Sequence, residues 1–145
     1  MKYGSSGTLI WVKTWGGPSY DSASGICIDS AKNVYVYGST SSYGSGGYDI
    51  VIVKYDLNGN KLWNTTWGLI GNDYGMDIKM GKNGFLYGSG YTDNGGNPDF
   101  DLVVIKYSPS TGIPIPPIQM WGGRNNDKPS RIAMDSNNNI YMWRN

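Results

Sequence analysis

The chain has 145 residues, a net charge of +1 and no His. Its 22 Gly, 12 Tyr and 6 Trp, with every acid an Asp and few good helix formers, exclude helical bundles, coiled coils and α/β nucleotide-binding folds. Without His there is no His general base and no His-ligated zinc, and singly scattered Lys and Arg argue against a nucleic-acid partner.

Residues 1–7 hold no apolar run of the kind a secretory signal needs, and no stretch of 18 apolar residues could insert in a membrane. The first predicted strand covers 10–15. Four more follow at 25–29, 34–39, 50–55 and 62–67, with turn clusters at 29–33 and 56–60. A second set of four is predicted at 75–80, 86–91, 102–107 and 118–121. The last two, 131–135 and 140–143, flank the turn Asp135-Ser-Asn-Asn-Asn139. The lone Cys27 cannot form an internal disulfide and reads as a small apolar strand residue.

These elements repeat. Trp15, Trp67 and Trp121 recur at nearly equal spacing, and each is followed at the same distance by Asp21, Asp73 or Asp127. Tyr35, Tyr87 and Tyr141 keep the same register, as do Gly38 with Gly90 and Thr40 with Thr92. The run Asp49-Ile-Val-Ile-Val-Lys-Tyr55 returns as Asp101-Leu-Val-Val-Ile-Lys-Tyr107. Four-stranded units at this period indicate antiparallel β-propeller blades. The unbroken apolar runs 50–53 and 102–105 require cover on both faces, which stacked blades supply and a two-layer sandwich does not.

The pattern from Asp21-x-x-x-Gly25 through Asn33-Val-Tyr-Val-x-Gly-x-Thr-Ser-Ser42 and Asp49 to Lys54-Tyr-Asp-x-Asn-Gly59, ending in Leu62-Trp63 and Trp67-Gly68, resembles the bacterial and archaeal beta-propeller repeat known as the SBBP repeat. Copy two departs from it at Gly81, which replaces Asp29, and in copy three Arg144 stands in the Gly38 position. The resemblance implies an all-β propeller with no shared catalytic residues, in a secreted or cell-surface setting.

The expected organisation is one partial propeller over 1–145: a last strand of a split blade at 10–17, blades at 18–67 and 68–121, and a half blade at 122–145. Eleven strands at four per blade make about 2.75 blades, below the usual four to eight. Open apolar flanks and a short count mean either a piece of a longer propeller or copies that assemble into a ring; the expectation is a homo-oligomer, a symmetric dimer first, with an irregular joint because the split blade lacks a third strand.

In such a meander the longer connections share one end. They bring together Tyr20, Tyr43, Tyr48, Asn72, Tyr74, Tyr91, Asn94, Asn97, Asn125 and Asn126, with Asp21, Asp73, Asp93 and Asp127. Tyr, Asn, Ser and Gly on variable loops suit adaptable binding of a protein or glycan. The recurring Asp21, Asp73 and Asp127 read as turn acceptors, as do Asp49 and Asp101, rather than as calcium ligands or an acid/base pair. Asp56–Asn60 and Asp135–Asn139 partly mimic calcium loops, but lack the Gly and closing Glu and read as hairpin turns. No metal or cofactor is expected. Asn64-Thr65-Thr66 is a formal glycosylation sequon. The rival reading is a carboxylate-based hydrolase or lyase at the channel mouth, with Asp93 and Asp99 as its nearest candidates, or a truncated propeller without activity.

Overall fold

The computed structural model describes residues 1–95 and 98–144. Twelve strands are described, and no helices. They are β1 (Lys2–Tyr3), β2 (Leu9–Trp11), β3 (Asp21–Ile28), β4 (Val34–Thr40), β5 (Asp49–Tyr55), β6 (Lys61–Trp67), β7 (Asp73–Met80), β8 (Leu86–Thr92), β9 (Asp101–Tyr107), β10 (Pro114–Trp121), β11 (Pro129–Met134) and β12 (Ile140–Arg144). β3–β6 and β7–β10 form two four-stranded antiparallel meanders, while β1–β2 and β11–β12 form two-stranded ribbons. Antiparallel sheets of two to four strands, repeated in order, are consistent with a propeller-like architecture.

The hairpins explain themselves locally. At Asp56–Asn60 the carboxylate accepts from the Asn58 and Asn60 amides at 2.8 Å each, and Gly59 takes the left-handed φ of 82° that closes the turn. Asp29 and Asp135 accept in the same way from the amides of Asn33 and Asn139, both at 2.9 Å. Both calcium-loop lookalikes are hairpin turns, as the missing Glu implied.

The apolar runs are buried at every position. Ile50 and Ile52 point to the second sheet, in one cluster with Tyr35, Tyr37, Ile78 and Tyr107, whereas Val51, Val53 and Tyr55 face the other way with Trp15 and Val36. The main core is therefore the seam between the two meanders, where β7 lies across β3, β4 and β5. The seam is keyed by size. The Tyr37 ring sits against Gly75 and Gly88, where an added Cβ would come within 2.9 Å and 2.5 Å of Tyr37 atoms. Cys27 borders the same cluster, and burial pushes its thiol up to about 12.

The N-terminus differs from the sequence expectation. The strand predicted over 10–15 is only Leu9–Trp11, and it pairs with Lys2–Tyr3, so the described strands number twelve rather than eleven. Lys2↔Trp11 and Tyr3↔Leu9 stand in the register of Lys54↔Trp63 and Tyr55↔Lys61, one repeat further on. Gly7, at φ 79°, takes the place of Gly59. The ribbon is thus a copy of the β5–β6 hairpin, and the third strand missing from the sequence reading is β1.

The ribbon is also placed as a repeat. Lys2 Nζ donates to the Leu57 carbonyl at 3.1 Å, as Lys54 Nζ donates to the Pro109 carbonyl at 2.9 Å. It lies against the first meander as the β5–β6 half of that meander lies against the second.

Candidate functional site

Antiparallel succession puts the starts of β3, β5, β7 and β9 and the ends of β4, β6 and β8 at one end of the sheets. Backbone bonds lace that end together. Within a meander, Ser41 N–H donates to Tyr20 O and Asp93 N–H to Asn72 O; between units, Asp73 N–H donates to Tyr48 O and Asp127 N–H to Phe100 O. The connections are held by the same ladder in successive units, so their side chains are presented on a fixed frame.

On that frame lies a row of rings. Tyr20 meets Tyr48 edge-on at 6.2 Å between centroids, Tyr48 stacks on Tyr74 at 4.9 Å, and Tyr74 stacks on Tyr91 at 4.9 Å. Phe100 packs edge-on to Tyr91 at 5.2 Å, and the Lys128 ammonium sits 4.4 Å over Phe100 and 4.8 Å over Tyr91. Offset stacking and edge contacts are the favoured aromatic geometries, and a cation over the ring face adds to them. Burial pushes the Tyr74 and Tyr91 hydroxyls up, so both are neutral phenols able to donate and accept at neutral pH.

Of the residues singled out in the sequence, Tyr20, Tyr48, Tyr74 and Tyr91 come together in this row. Asn72 borders it, donating its side-chain amide to Asp93 at 2.9 Å. Asn94 is exposed at a left-handed φ of 47°, its N–H donating to the Thr92 hydroxyl. Asn126 accepts from the Phe100 N–H at 2.9 Å, and Asn125 is exposed beside it. Tyr43 does not join: it packs on Trp15 at 5.3 Å and donates to the Gly16 carbonyl. Asn97 lies outside the described residues.

Two members were missed. Phe100 is the repeat equivalent of Tyr48, which the offset between the two full copies could have revealed. Lys128 stands at the Tyr74 position of the third unit. Tyr74 and Tyr91 themselves replace Ser22 and Ser39 of the first unit, and Tyr20 stands where the second unit has Asn72, so of the row only Tyr48 and Phe100 share an aromatic place in the repeat.

The aspartates behave differently. Asp21 accepts from the Gly17 amide at 2.8 Å, from the Ser42 hydroxyl at 2.9 Å and from the Thr40 hydroxyl. Slight burial pulls its carboxyl upward, but these three donors outweigh it and hold the group below the ordinary range. Asp73 accepts from the Leu69 amide at 2.7 Å. Burial raises its carboxyl above the usual value, and the charges of Asp49 and Asp93 add to the rise, against the lowering pull of Thr92 and Leu69. Asp49 accepts from the amides of Ser45 and Gly46. These carboxylates are engaged in tying loops to strands. Among the described residues no cluster of three or more metal-binding side chains occurs.

No curated protein matches the chain. From β2 through the connection after β4, residues 10–44 match the family model of the SBBP beta-propeller repeat.

Proposed function

We infer that the chain is a non-catalytic, propeller-type binding module whose ligand, a protein segment or a glycan, lies along the aromatic row at the long-loop end. The observation that carries this reading is the continuous row from Tyr20 to Lys128, with Tyr74 and Tyr91 built on positions where the first unit has Ser. Ser39 of the first unit is buried and accepts from the Gly75 amide, so the ring at Tyr91 is an addition to the scaffold. Rigid rings lose little conformational entropy on binding, and Asn72, Asn94 and Asn125 offer polar partners beside them. The engagement of Asp21, Asp49 and Asp73 by loop amides supports scaffolding over acid/base chemistry. A secreted or surface setting, implied by the resemblance alone, agrees with such a module.

The test is a glycan array run beside a display library of extended peptides, each probed with the wild-type chain and with Tyr20→Ala, Tyr74→Ala and Tyr91→Ala. Binding on one platform, reduced tenfold or more by Tyr20→Ala and by either stacked-ring variant, is expected. Wild-type binding unchanged by all three substitutions, or none on either platform, refutes the reading. A hydrolysis screen comparing wild type with Asp93→Asn and Asp99→Asn tests the rival enzyme.

A further inference from the structure

The two flanks of the chain are left open in complementary ways. Ile78 of the second meander is fully buried against the first, while its repeat equivalent in the first meander, Ile26, is 61% exposed. At the other end the relation is reversed. Tyr35 and Tyr37 are fully buried against the second meander, while their equivalents in the C-terminal ribbon, Tyr141 and Trp143, are 56% and 72% exposed. The same positions are buried wherever a neighbouring unit is present and bare where it is not. One flank lacks a preceding neighbour, and the other lacks a following one.

The ribbons carry the matching halves of one sheet. β11–β12 corresponds to the first two strands of a meander, because Ile132, Tyr141 and Trp143 align with Ile26, Tyr35 and Tyr37. β1–β2 corresponds to the last two, in the register of β5–β6. Among the described residues each ribbon pairs only with itself, so β12 and β1 both have a free edge. Between the N-terminal ribbon and the bare flank of the first meander lies a groove of about 990 Å³, walled by Trp11 and Trp15 on one side and Ile26, Ile28, Val34 and Val36 on the other. In the meanders, the position of that groove is filled by strands one and two.

We propose that a second copy of this chain inserts its C-terminal ribbon into this groove, pairing its β12 with β1 to complete a four-stranded blade shared between the two copies. The internal register of β4 with β5, Val34↔Tyr55, Tyr35↔Lys54 and Val36↔Val53, carries over to the joint as Ile140↔Tyr3, Tyr141↔Lys2 and Met142↔Met1. Tyr141 of one copy then meets Trp11 of the other as Tyr35 meets Trp63, at 6.0 Å between rings, with Lys2 taking the place of Lys54 over the tyrosine. The occupant follows from continuity of register: Tyr141 and Ile26 hold the places of Tyr35 and Ile78 in the seam, while Trp143 meets Ala23 and Val36 where Tyr37 meets Gly75 and Gly88, so the joint is spaced wider than the seam. The joint is regular, where the sequence expectation had it irregular, because β1 supplies the third strand. No residue of the aromatic row lines the groove, and the joint stands independently of the ligand reading.

The experiment is light scattering on the 145-residue chain at micromolar concentration, followed by directed cross-linking. A particle of twice the 15.9 kDa chain mass is expected. Ile26→Asp and Tyr141→Asp each change a side chain that is exposed in the single chain, so each is expected to give a folded monomer with an unchanged β-sheet spectrum. In a Cys27→Ser background, chains carrying only Tyr3→Cys mixed with chains carrying only Ile140→Cys are expected to form a disulfide-linked dimer, since antiparallel partners lie within disulfide reach. A wild-type particle with the mass of a single chain overturns the proposal. So does a dimer that survives both Asp substitutions, or one in which the mixed Cys chains fail to link.

Discussion

Ile78 and Ile26 hold one place in the repeat and differ in whether a neighbouring unit covers them, so truncating both measures what the seam contributes. Ile78→Ala removes apolar carbons from a fully buried site. At about 0.8 kcal/mol per buried methylene the transfer loss alone is about 2.4 kcal/mol, and the cavity left in the seam brings the expected cost to about 3–5 kcal/mol. For a chain of this size that lowers the melting temperature by roughly 10 °C. Ile26→Ala acts on a side chain that is 61% exposed in the single chain, and there it costs about 0.5 kcal/mol or less. Urea unfolding followed by tryptophan fluorescence reads both. The Ile78→Ala cost is expected at every protein concentration. Under the proposed pairing of copies, the Ile26→Ala cost is expected to grow with concentration, because association stabilises only the folded chain. An Ile78→Ala loss below about 1 kcal/mol refutes the seam as the main core, and an Ile26→Ala loss as large as that of Ile78→Ala in dilute monomer refutes the flank as open.

The Tyr37 slot gives a second prediction: Gly88→Ala places a methyl 2.5 Å from the Tyr37 hydroxyl, so the ring must shift, at a cost of about 1–3 kcal/mol in urea unfolding. Tyr37→Phe on the same background is expected to recover part of that loss, and a neutral Gly88→Ala contradicts the packing. Asp73 gives a third. Its carboxyl lies above the ordinary value of 3.8 because of burial first, then the Asp49 and Asp93 charges. The folded chain therefore holds that proton more tightly than the unfolded one. The resulting stabilisation is full below pH 3.8 and is lost as pH rises through the raised folded value. Urea midpoints of wild type and Asp73→Asn, compared from pH 3.5 to 7, are expected to diverge in favour of the variant as pH rises; a constant difference contradicts the shift.

Much of this architecture was legible in the sequence because the repeat is carried by residues with few alternatives. Trp15, Trp67 and Trp121, the Asp that follows each in fixed register and the twin apolar runs fix the units, and burial on both faces of Ile50–Val53 follows from composition alone. The N-terminal ribbon escaped notice because Lys2-Tyr3 is only the tail of a strand. Its apolar body precedes the pair in the other copies, and an alternation cannot be read from two residues. The glycine of its turn, Gly7, kept the spacing, and only the pairing of Lys2 with Trp11 made that spacing meaningful. The long-loop end was located by strand alternation, but not its order. Stacking of Tyr74 between Tyr48 and Tyr91 joins rings from three separate strands or connections, and no local spacing predicts which faces meet. Tyr43 had the right composition and the wrong neighbours: its loop turns toward Trp15.

The fit of Tyr37 into the slot lined by Gly75 and Gly88 has an evolutionary consequence. In the first meander the Gly88 place is filled by Val36, and in the second the Tyr37 place is filled by Ser89. At the spacing of this seam, a duplicated first meander set behind itself would drive a valine into the phenol, while a duplicated second would leave a hydroxymethyl facing an empty notch. At this junction the two units are thus kin that cannot trade places. Lineages that lengthen or shorten such an array must revise both sides of a junction together.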